Sequence, residues 1–278
     1  MNKYIILMIV YNAAVVVLAA VIMKKLDKRR KMSVPAKISV TLGLFISFMT
    51  ASFLVYFSFG YEALPSAGKY LESGENVRVV KKDGHILFDG NGNDELLIFY
   101  PGAKVEYTAY SPLLYRIAEK GIDCCAVDMP FDFAIFGAEK AGEVMASYQY
   151  NSYILAGHSL GGVMAADFCA KNSEKVRGAI MLASYPSGKL AEDTDALIIY
   201  GSCDEVFEKG RLDESRKNLP ADAEVMIIEG ANHAGFGDYG EQSGDGRAEI
   251  SPDEQKDIAA GMIYGYLKRN KAVSSPFL

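Results

Sequence analysis

The chain has 278 residues, half of them hydrophobic, and a formal net charge of −6 at neutral pH. This length suffices for one large α/β domain or two small ones. The charge is unevenly divided, because residues 1–60 carry +7 and the remaining residues carry −13. An acidic globular part argues against nucleic acid as a partner, since phosphate binding requires a basic face.

The first sixty residues predict a hairpin of two transmembrane helices. Residues 4–23 and 38–60 are uncharged runs, and about twenty apolar residues are needed to cross the hydrocarbon core of a bilayer. The segment between them, Lys24–Lys31, is strongly basic and is expected in the cytoplasm by the positive-inside rule. A multi-pass protein of the cell membrane follows, with the domain of residues 61–278 on the extracytoplasmic side.

Two other interpretations of this segment stay open. Residues 1–23 resemble a cleaved signal peptide in position, but the apolar run is long and most basic residues follow it. Alternatively, both runs could be buried core helices, although a strongly basic loop between two uncharged runs argues against burial.

The polar stretch from residue 61 to about 76 is expected to link the membrane segment to a domain of alternating strands and helices. An Asp83–Gly84 turn predicts a β-hairpin. Repeated β-α-β units then imply an α/β fold, with a mainly parallel sheet and helices on both faces. The expected strands cover 96–100, 123–127, 153–156, 179–182, 196–200 and 224–228, and the expected helices cover 109–120, 138–147, 160–170, 205–218 and, with Ser251 as its N-cap, 251–268.

The four cysteines do not predict a disulfide framework. Cys124 and Cys125 are adjacent on a predicted strand, so their side chains point to opposite faces. No Cys-x-x-Cys pair or Cys/His cluster has the spacing of a zinc site. We expect buried free thiols, no metal and no cofactor.

A Gly-x-Ser-x-Gly motif, Gly157–Gly161, lies between an apolar strand and a helix of small residues. This is the context of a nucleophile elbow, in which a tight turn exposes the serine. Glycines are required two residues before and after Ser159 because side chains there would collide with the neighbouring strand and helix. Taken alone, the motif is also compatible with a plain glycine-rich turn.

A serine nucleophile needs a base and an acid that orients the base. His233 follows the last strand and is the candidate base, whereas His85 lies in the early hairpin and His158 is too close to Ser159 to turn back on it. Asp204 follows the strand before it and is the candidate acid, with its neighbour Glu205 as the alternative. The order Ser, Asp, His is the order of α/β-hydrolase triads.

An oxyanion hole is expected from two backbone amides. Leu160, the residue after the nucleophile, supplies one of them. The loop after the third strand, at 100–104, supplies the other, with Ala103 as the predicted donor. Lys104 could add positive charge, but the favoured interpretation is a solvated lysine.

Residues 95–270 resemble the α/β-hydrolase superfamily, and within it the compact bacterial alpha/beta hydrolase fold-5 type. The resemblance is carried by YPGAKVEYTAYSPL at 100–113, DMPFDFAIFG at 128–137, GHSLGG at 157–162 and NHAGFGDYGEQSGDG at 232–246. It implies that Ser159, Asp204 and His233 form a catalytic triad. The type is also similar to dienelactone hydrolases, which use a cysteine where this chain has Ser159, so their substrate is not expected here.

These features predict a membrane-anchored serine hydrolase acting on a small-molecule ester. About a dozen residues separate the strands at 179–182 and 196–200, where many α/β-hydrolases insert a lid, so an open site for short-chain or bulky exposed esters is expected. A thioesterase, lipase or peptidase uses the same residues, and a non-catalytic membrane-tethered binding protein is the alternative from another class. The oligomeric state is not predicted.

Overall fold

The computed structural model describes residues 3–30, 33–57, 59–91 and 94–273. The chain divides into two compact units, Met1–Phe59 and Gly60–Leu278. The boundary lies one residue before the predicted one.

The first unit is a pair of helices, α1 (Lys3–Arg30) and α2 (Val34–Phe57). The two helices pack against each other, and the Ser52 hydroxyl of α2 donates a hydrogen bond to the Asn12 side chain of α1 at 2.7 Å. Within the described residues, α2 alone is found long and apolar enough to cross a membrane. The backbone of α1 covers the first predicted span, 4–23. The side chains of residues 3–9 lie outside the described part of the structure, so the span is only partly described.

The second unit is built on one eight-stranded sheet. The strands are β1 (Arg78–Lys82), β2 (His85–Asp89), β3 (Glu95–Tyr100), β4 (Asp123–Val127), β5 (Ser152–His158), β6 (Val176–Leu182), β7 (Asp195–Gly201) and β8 (Glu224–Ile228). Their spatial order is β1-β2-β4-β3-β5-β6-β7-β8. Only the β1–β2 and β2–β4 pairs are antiparallel, so the six strands from β4 to β8 form the parallel sheet that the alternating pattern predicts.

The middle strands β3 to β7 are continuous apolar runs because both of their faces are covered. Leu96 through Phe99 of β3 and Leu197 through Ile199 of β7 are almost fully buried. Parallel pairing brings the carboxyl ends of β3, β5, β7 and β8 to one edge of the sheet, which is where open α/β sheets build their sites.

Helices of this unit follow the strands. They are α3 (Ser111–Glu119), α4 (Lys140–Ser147), α5 (Leu160–Lys171), α6 (Lys209–Ser215) and α7 (Pro252–Val273). α3 begins two residues later than predicted, because Tyr107–Tyr110 is a 3₁₀ turn, and α7 runs past the predicted end at 268. Cys124, Cys125 and Cys169 are buried free thiols, as predicted, while Cys203 is half-buried.

Two connecting segments, residues 61–77 and 183–194, show how the sheet is covered. Residues 61–77 pack on the unit instead of forming a free linker: Tyr61 pairs with Val105, and Ala67 and Val77 are buried. Residues 183–194, between β6 and β7, contain no helix or strand. No lid domain is therefore inserted there, as the short spacing predicted.

Candidate active site

The turn between β5 and α5 holds Ser159 in an unusual backbone conformation. Its φ of 52° and ψ of −125° lie in a region that costs a non-glycine residue roughly 1–3 kcal/mol and is kept mainly at functional sites. The Ser159 amide donates to the Leu182 carbonyl at 2.9 Å, which ties the turn to β6. The Ser159 side chain is left partly exposed at the carboxyl edge of the sheet.

Glycines on either side of Ser159 allow the backbone segments around it to approach closely. A Cβ atom added at Gly157 would lie 2.5 Å from the carbonyl carbon of Gly161, and one added at Gly161 would lie 2.2 Å from the Pro101 carbonyl oxygen. Both distances are far inside van der Waals contact. The glycine requirement that the sequence predicts at these two positions is therefore steric.

Asp204 and His233 meet at the same edge of the sheet, following β7 and β8. His233 Nδ1 lies 2.8 Å from Asp204 Oδ2, and both side chains are buried. Asp204 Oδ1 accepts hydrogen bonds from the amides of Val206 and Phe207 at 2.9 and 2.8 Å, so both carboxylate oxygens are engaged. The neighbouring Glu205 is exposed, and the structure brings Asp204, not Glu205, to the imidazole.

The other imidazole nitrogen, His233 Nε2, is buried without a hydrogen-bond partner among the described residues. Because Nδ1 faces a carboxylate, we assign the proton to Nδ1, which leaves a lone pair on Nε2. A buried polar atom without a partner costs about 1–3 kcal/mol, and such atoms are often found where a catalytic role requires them. The ring of His233 lies 4.5 Å from that of His158, the residue before Ser159, which sets the base candidate beside the turn.

The loop that carries His233 is held by the side chain of Asp245. Its Oδ1 accepts the His233 amide at 3.1 Å and the Gly246 amide at 2.8 Å, while its Oδ2 accepts the Ala234 amide at 2.8 Å. One carboxylate thus satisfies three backbone donors of an irregular segment and fixes the position of the histidine backbone.

A second set of hydrogen bonds holds Asn232, the residue before His233. The buried Gln255 of α7 accepts the Asn232 amide at 3.1 Å and donates to the Asn232 carbonyl at 2.8 Å. The Asn232 side chain in turn donates to the Gly246 carbonyl at 2.9 Å. The loop is therefore anchored to the final helix as well as to itself.

His158 is buried beside the candidate base His233. Burial and the neighbouring His233 hold the pKa of His158 well below its usual value, so the ring is neutral at neutral pH. Its Nδ1 lies 2.8 Å from the Tyr110 hydroxyl, which also accepts the Gly102 amide at 3.1 Å. Tyr110 therefore connects the elbow to the loop after β3.

The predicted oxyanion donors, Ala103 and Leu160, lie on that loop and at the start of α5. Within the part of the chain that the structure describes, neither backbone amide has an acceptor. The other amides of the 102–104 loop are engaged, because Gly102 donates to Tyr110 and Lys104 donates to the Asp132 carbonyl at 2.7 Å. Ala103 is thus the amide of this loop that can take a new acceptor.

Among the described residues, no group of three or more His, Cys, Asp or Glu side chains is arranged to hold a metal ion. Both carboxylate oxygens of Asp245, in the glycine-rich loop, accept hydrogen bonds from backbone amides. Sequence reasoning did not find the roles of Asp245, Gln255 and Tyr110. Tyr110 and Asp245 lie in segments that carry the resemblance, but nothing in the sequence says which groups these side chains contact. The glycines of residues 235–246 signalled only a loop with tight turns.

A model of the alpha/beta hydrolase family matches residues 96–257 of the chain. The matched span includes Ser159, Asp204 and His233 as well as both candidate oxyanion amides. Among curated proteins, none is similar enough in sequence to match.

Solved structures share the fold at low sequence identity. One is MGS-MChE2, an alpha/beta hydrolase enzyme from the metagenome of lagoon sediments at Mar Chica, Morocco (TM-score 0.53, 16% identity, 70% of this chain and 99% of that chain). Another is the epoxide hydrolase VrEH1 from Vigna radiata (TM-score 0.54, 11% identity, 71% and 99%). A third is the mouse alpha/beta hydrolase domain-containing protein 10 (TM-score 0.51, 12% identity, 70% and 99%). At these identities the likeness concerns the fold alone.

Proposed function

The chain belongs to the alpha/beta hydrolase family, and on this premise we propose that it is a membrane-anchored serine hydrolase that cleaves a carboxylic ester through an acyl-enzyme intermediate. Ser159 is the nucleophile, His233 the general base and Asp204 the acid that orients it. One observation carries the proposal: His233 Nδ1 pairs with Asp204 at 2.8 Å while its Nε2 is buried without a partner among the described residues, next to a strained serine turn.

In the first half of the reaction, His233 Nε2 removes the proton of the Ser159 hydroxyl as its oxygen attacks the ester carbonyl. The imidazolium that forms is stabilised by the Asp204 carboxylate, which also keeps the proton of the ring on Nδ1. The protonated Nε2 then gives its proton to the leaving alcohol, and Ser159 carries the acyl group.

Negative charge builds on the carbonyl oxygen during the attack. The amides of Ala103 and Leu160 are the proposed donors to this oxyanion, since preorganised donors there are worth several kcal/mol, about 3–4 for a single donor. In the second half, His233 activates a water molecule that attacks the acyl group. The acid product leaves and Ser159 regains its proton.

The membrane anchor is the second part of the proposal. With 24 residues and a rise of 1.5 Å per residue, α2 is about 36 Å long, which exceeds the roughly 30 Å hydrocarbon core. We propose that α1 spans with it. Asn12 carries the one side-chain amide of the first apolar run. Its hydrogen bond with Ser52 gives this amide a partner, as a polar side chain in a bilayer requires.

A panel of chromogenic substrates tests the chemistry on the full chain in lipid nanodiscs. We expect turnover of a short-chain p-nitrophenyl ester and a loss of about a thousandfold or more in kcat for Ser159→Ala. Ser147→Ala, at an exposed serine at the end of α4, is the matched control and should keep full activity. The proposal is wrong if wild type and Ser159→Ala hydrolyse the ester equally. Faster turnover of a matched thioester or anilide would identify a thioesterase or a peptidase instead.

A further inference from the structure

A group of apolar side chains is exposed on the loop that follows β4. Phe131, Ile135 and Phe136 are 51%, 55% and 49% exposed. The rings of Phe131 and the half-buried Phe133 have their centroids 6.0 and 6.2 Å from that of Phe136. We call these four residues the aromatic patch. Contiguous exposed apolar side chains mark interaction surfaces, whereas single ones are common on any protein.

The backbone under the patch is strained. Phe131 and Asp132 have φ values of 57° and 55°, a left-handed conformation that is rare for a bulky aromatic residue. Two tight turns hold this backbone. The Asp132 amide donates a hydrogen bond to the Met129 carbonyl at 2.9 Å, and the Phe133 amide donates to the Pro130 carbonyl at 3.1 Å. A strained backbone and exposed apolar side chains both cost free energy. A binding role for the patch would explain why both occur in the same loop.

The loop that carries the patch contacts the first residues of the second unit, Gly60–Leu278, which we call the catalytic unit. A Cβ added at Gly60, the first residue of that unit, would lie 3.1 Å from the Lys104 carbonyl oxygen and 3.5 Å from the Asp132 carboxylate. The Tyr61 amide donates to the Lys104 carbonyl at 2.6 Å, and the Lys104 amide donates to the Asp132 carbonyl at 2.7 Å. In the sequence, residues 58 and 59 alone separate Gly60 from the end of α2.

Two elements that begin at or next to proposed site residues contact the loop that carries the patch. α5, which begins directly after Ser159, packs against the Ala134–Phe136 turn. Lys104, which is hydrogen-bonded to the patch loop, follows the proposed oxyanion donor Ala103 in sequence. A surface that covers the patch would therefore lie beside the mouth of the site.

Charge indicates what kind of surface fits. The sequence after residue 60 carries a balance of −13, so attraction to anionic lipid headgroups is not expected. The one charged side chain in residues 131–136 is Asp132, and partial burial raises the pKa of this carboxyl. Association would therefore depend on the insertion of apolar side chains into the headgroup–acyl boundary and not on basic residues.

We infer that the aromatic patch inserts into the surface of the phospholipid bilayer that anchors the chain, and that Ser159 acts on esters that reside in that bilayer. The first half of this inference rests on the proposed membrane anchor, and the second half rests on the proposed ester hydrolase function. Residues 183–194 contain no inserted domain, so no lid encloses an acyl chain there, which is why the sequence favours short-chain or bulky exposed esters. A bilayer-resident ester is compatible with the same open site, because its hydrocarbon part remains in the lipid and needs no enclosed protein pocket.

Depth-dependent fluorescence quenching tests the insertion without any activity. The full chain is reconstituted into neutral phosphatidylcholine nanodiscs with an environment-sensitive dye at Ile135→Cys or Phe136→Cys, in a Cys203→Ser background. Ile227→Cys is the matched control, because Ile227 is an apolar residue 43% exposed on β8. We expect nitroxide-labelled lipids to quench both patch sites at least about threefold more than the control, since an inserted side chain lies at the boundary that carries the nitroxide. Equal quenching at all three sites overturns the inference.

Activity on two esters tests the substrate class. In the same nanodiscs, Ile135→Ser/Phe136→Ser should lower the ratio of turnover of a bilayer-resident diacyl ester to that of a water-soluble short ester by about tenfold, equivalent to 1.4 kcal/mol. Ile227→Ser should leave the ratio unchanged. An unchanged ratio in the double variant, with quenching still observed, overturns the substrate assignment alone. Quenching with no turnover of either ester overturns the proposed hydrolase function and leaves the insertion standing.

Discussion

At the residue scale, the function of the site depends on which atom of His233 carries a proton. Asp204 receives three donors, because Oδ1 accepts the amides of Val206 and Phe207 and Oδ2 faces His233 Nδ1. A carboxylate accepts at both oxygens, whereas an amide has one accepting oxygen and one donating NH₂ group. An asparagine at this position would set a donor against either the backbone amides or the Nδ1 proton.

Replacement of Asp204 by asparagine should therefore disturb the tautomer and not the shape of the site. We expect Asp204→Asn to lower kcat for a soluble ester by roughly 10³–10⁴-fold with little change in KM. Glu205→Gln is the control, since the exposed Glu205 should tolerate the change within about twofold. Steady-state kinetics of the two variants decide the matter, and a larger loss in Glu205→Gln would assign the acid to the neighbour.

Sequence alone predicted the residues that follow strand ends and missed those that support them. Ser159 comes directly after β5, and Asp204 comes shortly after the end of β7 at Gly201. Parallel sheets place their functional side chains there, so local pattern and chain order suffice. Tyr110 reaches His158 across 48 positions of sequence, and no local pattern encodes that contact. The partner of His158 is thus a buried tyrosine hydroxyl that the residues around His158 do not predict.

At the element scale, the loop after β8 is the part of the site with the least regular structure. Its backbone donors cannot pair with a strand or helix, so they need side-chain acceptors. Asp245 supplies acceptors for His233, Ala234 and Gly246. Although the loop is irregular, Phe236 and Tyr239 within it are buried.

Removal of the Asp245 carboxylate should loosen His233 without touching the reacting atoms. Hydrogen bonds to charged groups contribute about 1.5–3 kcal/mol, so Asp245→Ala should lower Tm by several degrees, about 2–4 °C for each kcal/mol. The same variant should lower kcat, because a misplaced base costs rate. Glu241→Ala, at an exposed position of the same loop, is the matched control. Calorimetry and ester kinetics measure both effects. A Tm and a kcat of Asp245→Ala no lower than those of Glu241→Ala would contradict the proposed role of Asp245 in holding the loop.

Strand bounds show why patterns of hydrophobicity locate the middle of an element better than its ends. β3 and β4 match the predicted runs within one residue because their side chains are buried on both faces. β6 begins at Val176, three residues before the predicted start. Its second residue is Arg177, which forms ion pairs with Glu95 at 2.8 Å and with Asp195. A charged residue inside a strand is neutralised by partners that are remote in sequence, so hydrophobic patterning starts the strand too late.

At the scale of the whole molecule, the division of charge accompanies the division into units. The basic excess of +7 lies in residues 1–60 and the acidic excess of −13 in the rest. Short basic loops are retained on the cytoplasmic side during insertion, whereas long domains translocate largely regardless of their charge. The expected orientation therefore follows from the basic segment Lys24–Lys31 alone, and it would place Ser159 outside the cytoplasm.

Labelling in intact cells tests this orientation. In a Cys203→Ser background, a membrane-impermeant maleimide should modify Glu241→Cys, which is exposed in the catalytic unit. Lys28→Cys, exposed in the basic segment, should react only after lysis. The reverse pattern would place the catalytic unit in the cytoplasm.

The most direct test of the central claim, that Ser159 is an activated nucleophile, is covalent labelling of the full chain with a fluorophosphonate probe followed by intact-mass and peptide analysis. We predict one adduct per chain, located on Ser159, with labelling abolished in Ser159→Ala and strongly slowed in His233→Ala, since the base is needed to activate the hydroxyl. Equal labelling of wild type and Ser159→Ala, or an adduct on another serine, would contradict the account.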